Sequence, residues 1–401
     1  MSGSTRSKVL ALRNHPTAYN RQSNVMSKRH LLVVAAAGLM LACGACSTRP
    51  TQGMLMPVAA NVDGTSRVPV LAATTRQRSV SDAGAMFNSE RADSVSYASI
   101  VVSIPPDSAR KVGAVQWPSA LPGDPSREFV TVSANYLNKQ AFGAAVDSAA
   151  KQTKSGKVLV FVHGFNNRFD DAVYRFAQIV HDAKTPAIPV LFTWPSLGEA
   201  RLRAYTYDRE SANFSRDALE DLLDMLAKQP RVTEVNVLAH SMGNWLTLEA
   251  LRGRSIRATR SATNLKSEKL KNVLMVAPDV DVDVFRAELQ RMGEYRPRIS
   301  LFVSRDDQAL SLSQFIWGGV QRLGDVDPSQ EPYRSEFERD RIEVFDLTSL
   351  RSEGVDAHGR AFAEAPTVAT MIRERLIEGQ ALNNREPDIG DRVEQTALSA
   401  K

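Results

Sequence analysis

From residue 158 onward the chain alternates short apolar runs with stretches in which apolar residues recur every three or four positions. The apolar runs are Val68 to Ala72, Ala98 to Ile104, Val158 to Val162, Ile188 to Trp194, Val235 to Leu238, Val273 to Ala277, Ile299 to Val303 and Ile342 to Leu347. Runs of this length without polar alternation predict strands buried on both faces. Between them, Val173, Phe176, Ile179 and Val180 predict a helix over Phe169 to Ala183, and Phe214, Ala218, Leu222 and Leu226 predict one over Ser211 to Lys228. Strands joined by helical crossovers predict an α/β class, with a mostly parallel central sheet of about eight strands and helices on both faces. The first two runs lack a helical crossover and are therefore expected as antiparallel edge strands. No internal repeat is visible.

Within this pattern, Val235-Asn236-Val237-Leu238-Ala239-His240-Ser241-Met242-Gly243-Asn244 runs from a buried strand into a serine flanked by small residues. A serine held at a sharp strand-to-helix turn has strained backbone geometry, and the positions two before and two after it must be small for the turn to close. Ala239 and Gly243 satisfy that requirement, with Ala standing where G-x-S-x-G has its first Gly. The alternative is plain strand-to-helix punctuation. A second motif favours chemistry: the run Val158 to Val162 ends in His163-Gly164-Phe165-Asn166 at a place where the chain must turn. Acyl transfer needs two backbone N–H donors for the developing oxyanion, one after the nucleophile and one from the loop after an earlier strand. Met242 and Phe165 are the candidates.

Elimination among the six histidines points to the general base. His15 and His30 lie in the leader, His163 and His240 belong to the two turns, and His181 sits near a helix end. His358 remains, in a polar segment after the last predicted strand. The acid then lies between Ser241 and His358. Two strand ends offer carboxylates, one carrying Asp279 and Asp281 and the other Asp306 and Asp307. The second is preferred, because a carboxylate there can set the imidazole tautomer and stabilise the imidazolium. The residues barely separate Asp307 from Asp306. Asp307 is favoured, Asp306 is assigned to Arg305 or a helix N-terminus, and Asp279 is the fallback.

Several blocks resemble bacterial alpha/beta-hydrolase proteins of unknown function, often placed in the esterase/lipase superfamily. They are Ala73-Thr74-Thr75-Arg76, Ser103-Ile104-Pro105-Pro106, the His-Gly-Phe-Asn loop, Thr193 to Gly198, Tyr207-Asp208-Arg209-Glu210-Ser211, the serine turn, Ala277 to Asp281 and Ser304 to Leu310. The resemblance runs from about Val68 onward. It implies the alpha/beta-hydrolase fold and a Ser-Asp-His triad, with the Asp before Gln308-Ala309-Leu310 looking like the family acid. It implies no substrate.

The N-terminus reads as a targeting segment. Lys28, Arg29 and His30 precede the apolar run Leu31 to Ala42 and then Cys43-Gly44-Ala45-Cys46-Ser47, a run too short to span a bilayer. It resembles a lipoprotein signal, with Cys46 as the lipid-modified residue and Cys43 as the alternative; the other reading is an ordinary cleaved signal or a short anchor. Met26 is a candidate start. The first 46 residues hold six Lys or Arg and no Asp or Glu, so without them the formal net charge falls from +5 to −1. The basic balance is thus a leader property and no argument for nucleic acid. Both cysteines lie in the signal, so the mature domain has no internal disulfide.

The expected organisation is a leader and signal at 1–46, a flexible tether at 47–66, a hydrolase domain at 67–380 and a disordered polar tail at 381–401. No cofactor and no metal is expected; Asp279, Asp281 and Asp283 alternate but lack the Gly and terminal Glu of a calcium loop. Two segments stand near the expected site. Thr193 to Asp208 carries Trp194, Tyr205 and Tyr207, read as aromatic packing. Arg252 to Lys271 has seven basic residues against Glu268 alone, and is read as a solvated loop or, more sharply, a flap near anionic lipid head groups. The expected function is a serine hydrolase acting on small-molecule or lipid carboxylic esters, tethered through a lipidated cysteine to the periplasmic side of the bacterial envelope, with the outer membrane as the expected location. Amidase, peptidase or acyltransferase chemistry would use the same residues, and a non-catalytic binding scaffold is the contrasting class.

Overall fold

The computed structural model describes residues 50–260, 268–293, 296–350 and 358. The leader and signal with Cys43 and Cys46, the 381–401 tail and the 380 boundary lie outside the described residues. A nine-stranded sheet organises the described chain: β1 (Ser66–Arg78), β2 (Phe87–Ile104), β3 (Val130–Leu137), β4 (Lys157–Val162), β5 (Ile188–Thr193), β6 (Glu234–His240), β7 (Leu270–Val276), β8 (Arg298–Val303) and β9 (Glu343–Asp346). Their order across the sheet is β3-β2-β1-β5-β4-β6-β7-β8-β9. From β1 through β9 every neighbouring pair is parallel, and only β2 runs against its neighbours.

Seven α-helices are described: α1 (Lys139–Thr153), α2 (Phe169–Ala183), α3 (Leu202–Lys228), α4 (Met242–Arg260), α5 (Val282–Met292), α6 (Gln308–Ile316) and α7 (Tyr333–Arg339). Right-handed crossovers dictate where they lie. The step from β4 to β5 moves one way across the sheet and the steps β5–β6, β6–β7 and β7–β8 move the other way, so α2 packs on one face while α3, α4 and α5 pack on the opposite one. Strand residues divide accordingly. Val158, Val160 and Val162 join the core under α1, α3, α4 and α5, whereas Leu159 and Phe161 join the core under α2. The reversal is at β4, and the crevice beyond the carboxyl ends of β4, β5 and β6 is the place where this kind of sheet offers a binding site.

Four expectations change. β1 is no edge strand, because it pairs antiparallel with β2 and parallel with β5, Leu71 standing opposite Val190. A hairpin fixes one side of a strand and leaves its other side free for a distant partner. β3 supplies the edge instead; its mostly half-exposed Val-Thr-Val-Ser-Ala-Asn-Tyr-Leu lacks the apolar density of the other strands. Helix α3 begins at Leu202 rather than Ser211, since Tyr205, Asp208 and Ser211 are buried on its first turns and polar burial hides the helical period. The basic segment from Arg252 is helical to Arg260, and Arg254 bonds Asp224 and Glu268 at 2.6 and 2.9 Å while Arg257 reaches Glu220 at 2.6 Å. In place of a solvated loop or flap, these cations clamp α4 to α3; residues 261–267 lie outside the described residues.

The expected tether is also fastened over its described part. Met54 and Leu55 are buried in the core under α2, the Leu55 N–H donates to Gly84 O at 2.7 Å and the Val58 N–H to Thr131 O at 2.8 Å. A Cβ on Gly84 would lie 2.5 Å from Gly53 Cα, so this strap needs glycine to lie flat. Two apolar side chains in a polar stretch were enough to dock it. No helix among the described residues is long and apolar enough to cross a membrane.

One buried carboxyl has poor company. Glu288 on α5 is nearly inaccessible, with Arg252 Nε at 3.5 Å and Glu249 nearby. Burial first, and the Glu249 charge second, push its pKa up to about 7. A raised carboxyl favours the fold while protonated; that advantage is complete below about pH 4.5 and is lost as pH rises through 7. Glu288→Gln is therefore expected to match wild type in urea titration at pH 4.5 and to exceed it by about 2 kcal/mol at pH 8. Equal stability at pH 8 would refute the assignment.

Candidate active site

Ser241 sits between β6 and α4 with φ 51°, the left-handed region that a side chain enters only under constraint. The constraint is visible. The Ser241 N–H donates to Val276 O at 3.0 Å, while Ser241 O accepts from the Asn244 N–H and the Asn244 Nδ2, both at 3.0 Å, and from the Asp279 N–H at 3.3 Å. Asn244 Nδ2 also reaches Val276 O at 3.0 Å. Small residues are required here by a neighbouring backbone as well as by the turn. A Cβ on Gly243 would lie 2.4 Å from His163 O and 2.7 Å from Val162 O, and one on Gly164 would lie 2.8 Å from Ser241 Cβ. Ala239 is fully buried at the end of β6, so the extra methyl group is accommodated.

Asp307 follows β8 and is fully buried. Its Oδ1 accepts from the Ala309 and Leu310 N–H groups at 3.0 and 3.1 Å, capping α6, and its Oδ2 accepts from His358 Nδ1 at 2.8 Å. The cap immobilises the carboxylate that faces the imidazole. His358 in turn lies against the serine turn: its carbonyl accepts from His240 Nε2 at 3.3 Å and the two rings are 4.8 Å apart. Burial, then the neighbouring His358, hold His240 well below the usual imidazole range, so it stays neutral.

The other carboxylates are engaged elsewhere. Asp306 accepts from Ser304 Oγ at 2.8 Å, and Arg305 pairs with Asp327 and Asp346, so the cap expected of Asp306 belongs to Asp307. Asp279 accepts from Tyr205 Oη on Oδ2 and from Ser313 Oγ on Oδ1, each at 2.6 Å. Asp281 caps α5.

The loop carrying Phe165 is held by groups whose role the sequence did not disclose. Arg76, almost wholly buried, donates from Nη2 to Asn167 O at 2.6 Å and from Nη1 to Ser196 O at 3.0 Å. Burial brings its pKa down to about 10, opposed by Asp208, Asp170 and Asp171. Asp208 accepts from Ser196 Oγ at 2.5 Å, from the Leu197 N–H at 2.9 Å and from the Asn166 N–H at 3.3 Å. His163 is neutral and structural. Trp194 N–H donates to its Nε2 at 3.2 Å, its Nδ1 donates to Gly164 O at 2.8 Å, and burial lowers its pKa to about 3. Asn244, Arg76, Ser196 and Asp208 were legible only as shared motif blocks. The Met242 N–H opens α4 and has no acceptor within the helix, as first-turn amides do not.

Residues 138–375 match the family described as alpha/beta hydrolase of unknown function (DUF900). The chain belongs to this family. It is an alpha/beta hydrolase, with the mostly parallel sheet described above. No curated protein matches it. Among solved structures, it is similar to a lipase-esterase related protein from Clostridium acetobutylicum (12% identity, TM-score 0.32, 56% of this chain and 96% of that one) and to esterase B from Lactobacillus rhamnosis (9%, 0.35, 86% and 93%). An esterase from Pyrobaculum calidifontis is similar at 9% identity and TM-score 0.30, over 61% of this chain and 94% of that one. At these values nothing about activity passes from them to this hydrolase.

The backbone contact at Gly243 can be tested directly. Gly243→Ala is expected to cost about 2 kcal/mol or more in urea titration, because the clash is with backbone that cannot turn aside. Gly143→Ala, in the interior of α1 with only the flexible Gln229 side chain at 3.3 Å, is expected to gain about 0.5 kcal/mol. If both substitutions behave alike, close approach is not what selects glycine at 243.

Proposed function

We propose that this hydrolase cleaves carboxylic esters through Ser241, His358 and Asp307. The observation that carries the reading is the 2.8 Å hydrogen bond from His358 Nδ1 to the buried Asp307, beside a serine in left-handed backbone geometry. With Nδ1 donating to Asp307, Nε2 holds a lone pair and can take the Ser241 hydroxyl proton as Oγ attacks the ester carbonyl. The Phe165 and Met242 amides receive the oxyanion. Collapse of the tetrahedral intermediate expels the alcohol, which takes the proton back from His358. Water, deprotonated by the same nitrogen, then releases the acid and restores Ser241. Asp307 orients the ring and stabilises the imidazolium without itself being protonated.

A fluorophosphonate probe is expected to modify Ser241 and no other serine, and Asp307→Asn to lower ester turnover roughly ten-thousand-fold with the fold retained. Folded protein that stays unlabelled would support the binding-scaffold reading. Activity lost in Asp279→Asn but kept in Asp307→Asn would move the acid one strand earlier.

We further propose that the enzyme works at the periplasmic face of the envelope on small-molecule or lipid esters, anchored through Cys46 or, failing that, Cys43. The signal-like segment supports this, and neither cysteine precedes an Asp, which favours the outer membrane. Multiple acyl chains on one cysteine would hold the protein stably where a single chain binds only marginally. Cell fractionation of wild type, Cys43→Ser and Cys46→Ser is expected to show release from membranes only for Cys46→Ser. Retention of both variants on membranes would end the lipoprotein reading.

A further inference from the structure

Beside the serine turn lies a guanidinium that makes no ion pair among the described residues. Arg209 on α3 places its guanidinium carbon 3.7 Å from the centre of the Trp245 ring and 5.6 Å from that of Trp317. Its Nη1 is buried with no hydrogen-bond partner among the described residues, and no carboxylate there forms an ion pair with it. Stacking on indole accommodates the faces of a guanidinium, and its N–H edges still require acceptors.

A second cation stands behind it. Arg322 is almost wholly buried, its Nε lacks a hydrogen bond, and its nearest carboxylate oxygen is Asp279 Oδ1 at 3.5 Å. Asp279 already accepts from Tyr205 and Ser313. Asp279 is thus shared by two guanidiniums, and the other carboxylate whose charge reaches Arg209 is Glu210. Burial lowers the Arg209 pKa, and Arg322 lowers it further, against the pull of Tyr205, Asp279 and Glu210.

This cluster adjoins the reactive residues. The Asp279 N–H donates to Ser241 O, the Tyr205 ring is 5.3 Å from that of Phe165, and Trp245 lies one turn beyond Ser241 on α4. Trp317 is 40% exposed, which opens the cluster to water on one side.

We infer that Arg209, backed by Arg322, receives an oxyanion carried by the substrate, so that the esters preferred here bear a carboxylate or a phosphate on the acyl or alcohol part. The planar guanidinium can meet either group with two parallel N–H donors. The inference rests on the ester-cleaving reading for its substrate, while the anion site itself can be tested without turnover.

Two matched pairs distinguish the sources: p-nitrophenyl hexanoate against the mono-p-nitrophenyl ester of adipic acid, and 1-butyrylglycerol against 1-butyrylglycerol 3-phosphate. Wild-type protein is expected to favour the anionic member of at least one pair by about tenfold or more in kcat/KM, with Arg209→Gln bringing that ratio near one and Arg209→Lys restoring part of it. In parallel, Ser241→Ala protein is titrated with adipate and with glycerol 3-phosphate, against sodium chloride at equal ionic strength, while tryptophan fluorescence is read. A saturable change that Arg209→Gln abolishes supports the site. No preference in either pair, or no saturable change with either anion, overturns the inference even if every variant folds. Saturable, Arg209-dependent binding with no ester cleaved and no fluorophosphonate labelling keeps the anion site and rejects the ester reading.

Discussion

Two backbones meet at Gly243. The start of α4 approaches the end of β4 so closely that a methyl group at this position would lie 2.4 Å from the His163 carbonyl. That contact brings the serine turn and the Phe165 loop together, although nearly eighty residues separate them in the chain. It depends on β4 and β6 being adjacent parallel strands in register, with Val162 opposite Ala239. Were the two strands not neighbours, the Phe165 loop and the start of α4 could not lie side by side.

The polar groups around this contact are rigid because burial leaves them little alternative. Arg76, Ser196 and Asp208 form one network whose hydrogen bonds end on the Asn166–Asn167 backbone. An unmade bond in such a place costs about 1–3 kcal/mol, so the loop has a strong preference for one shape. Asp307 shows the same economy in a single side chain, with one oxygen capping α6 and the other meeting His358. A helix cap thereby aims the imidazole. The Arg209 and Arg322 cluster differs, since Arg209 Nη1 and Arg322 Nε find no acceptor among the described residues.

What was legible in the chain was whatever leaves a local mark. Strands β4 to β8 announce themselves as apolar runs because both of their faces are buried. α2 announces itself by its spacing because one side of it faces the sheet. The turns that carry Ser241, Met242 and Phe165 were recognisable from the small residues at them. β3 was missed because half-exposed strands carry polar residues, and the first turns of α3 were missed because they bury polar ones. Met54 and Leu55 looked like a tether for the same reason: two apolar residues make no periodicity.

By itself the sequence determined the layer class, the run of strands from β4 onward and the serine turn, because each rests on contacts within one element or one turn. The tertiary structure alone decided which carboxylate faces the imidazole, that β1 is interior, that the basic start of the Arg252 segment clamps two helices, and that Arg209 Nη1 is buried without a hydrogen-bond partner among the described residues. These are pairings between residues tens to hundreds of positions apart. Asp306 and Asp307 are adjacent and chemically identical, and only the direction in which each side chain leaves the end of β8 sends one to Ser304 and the other to His358.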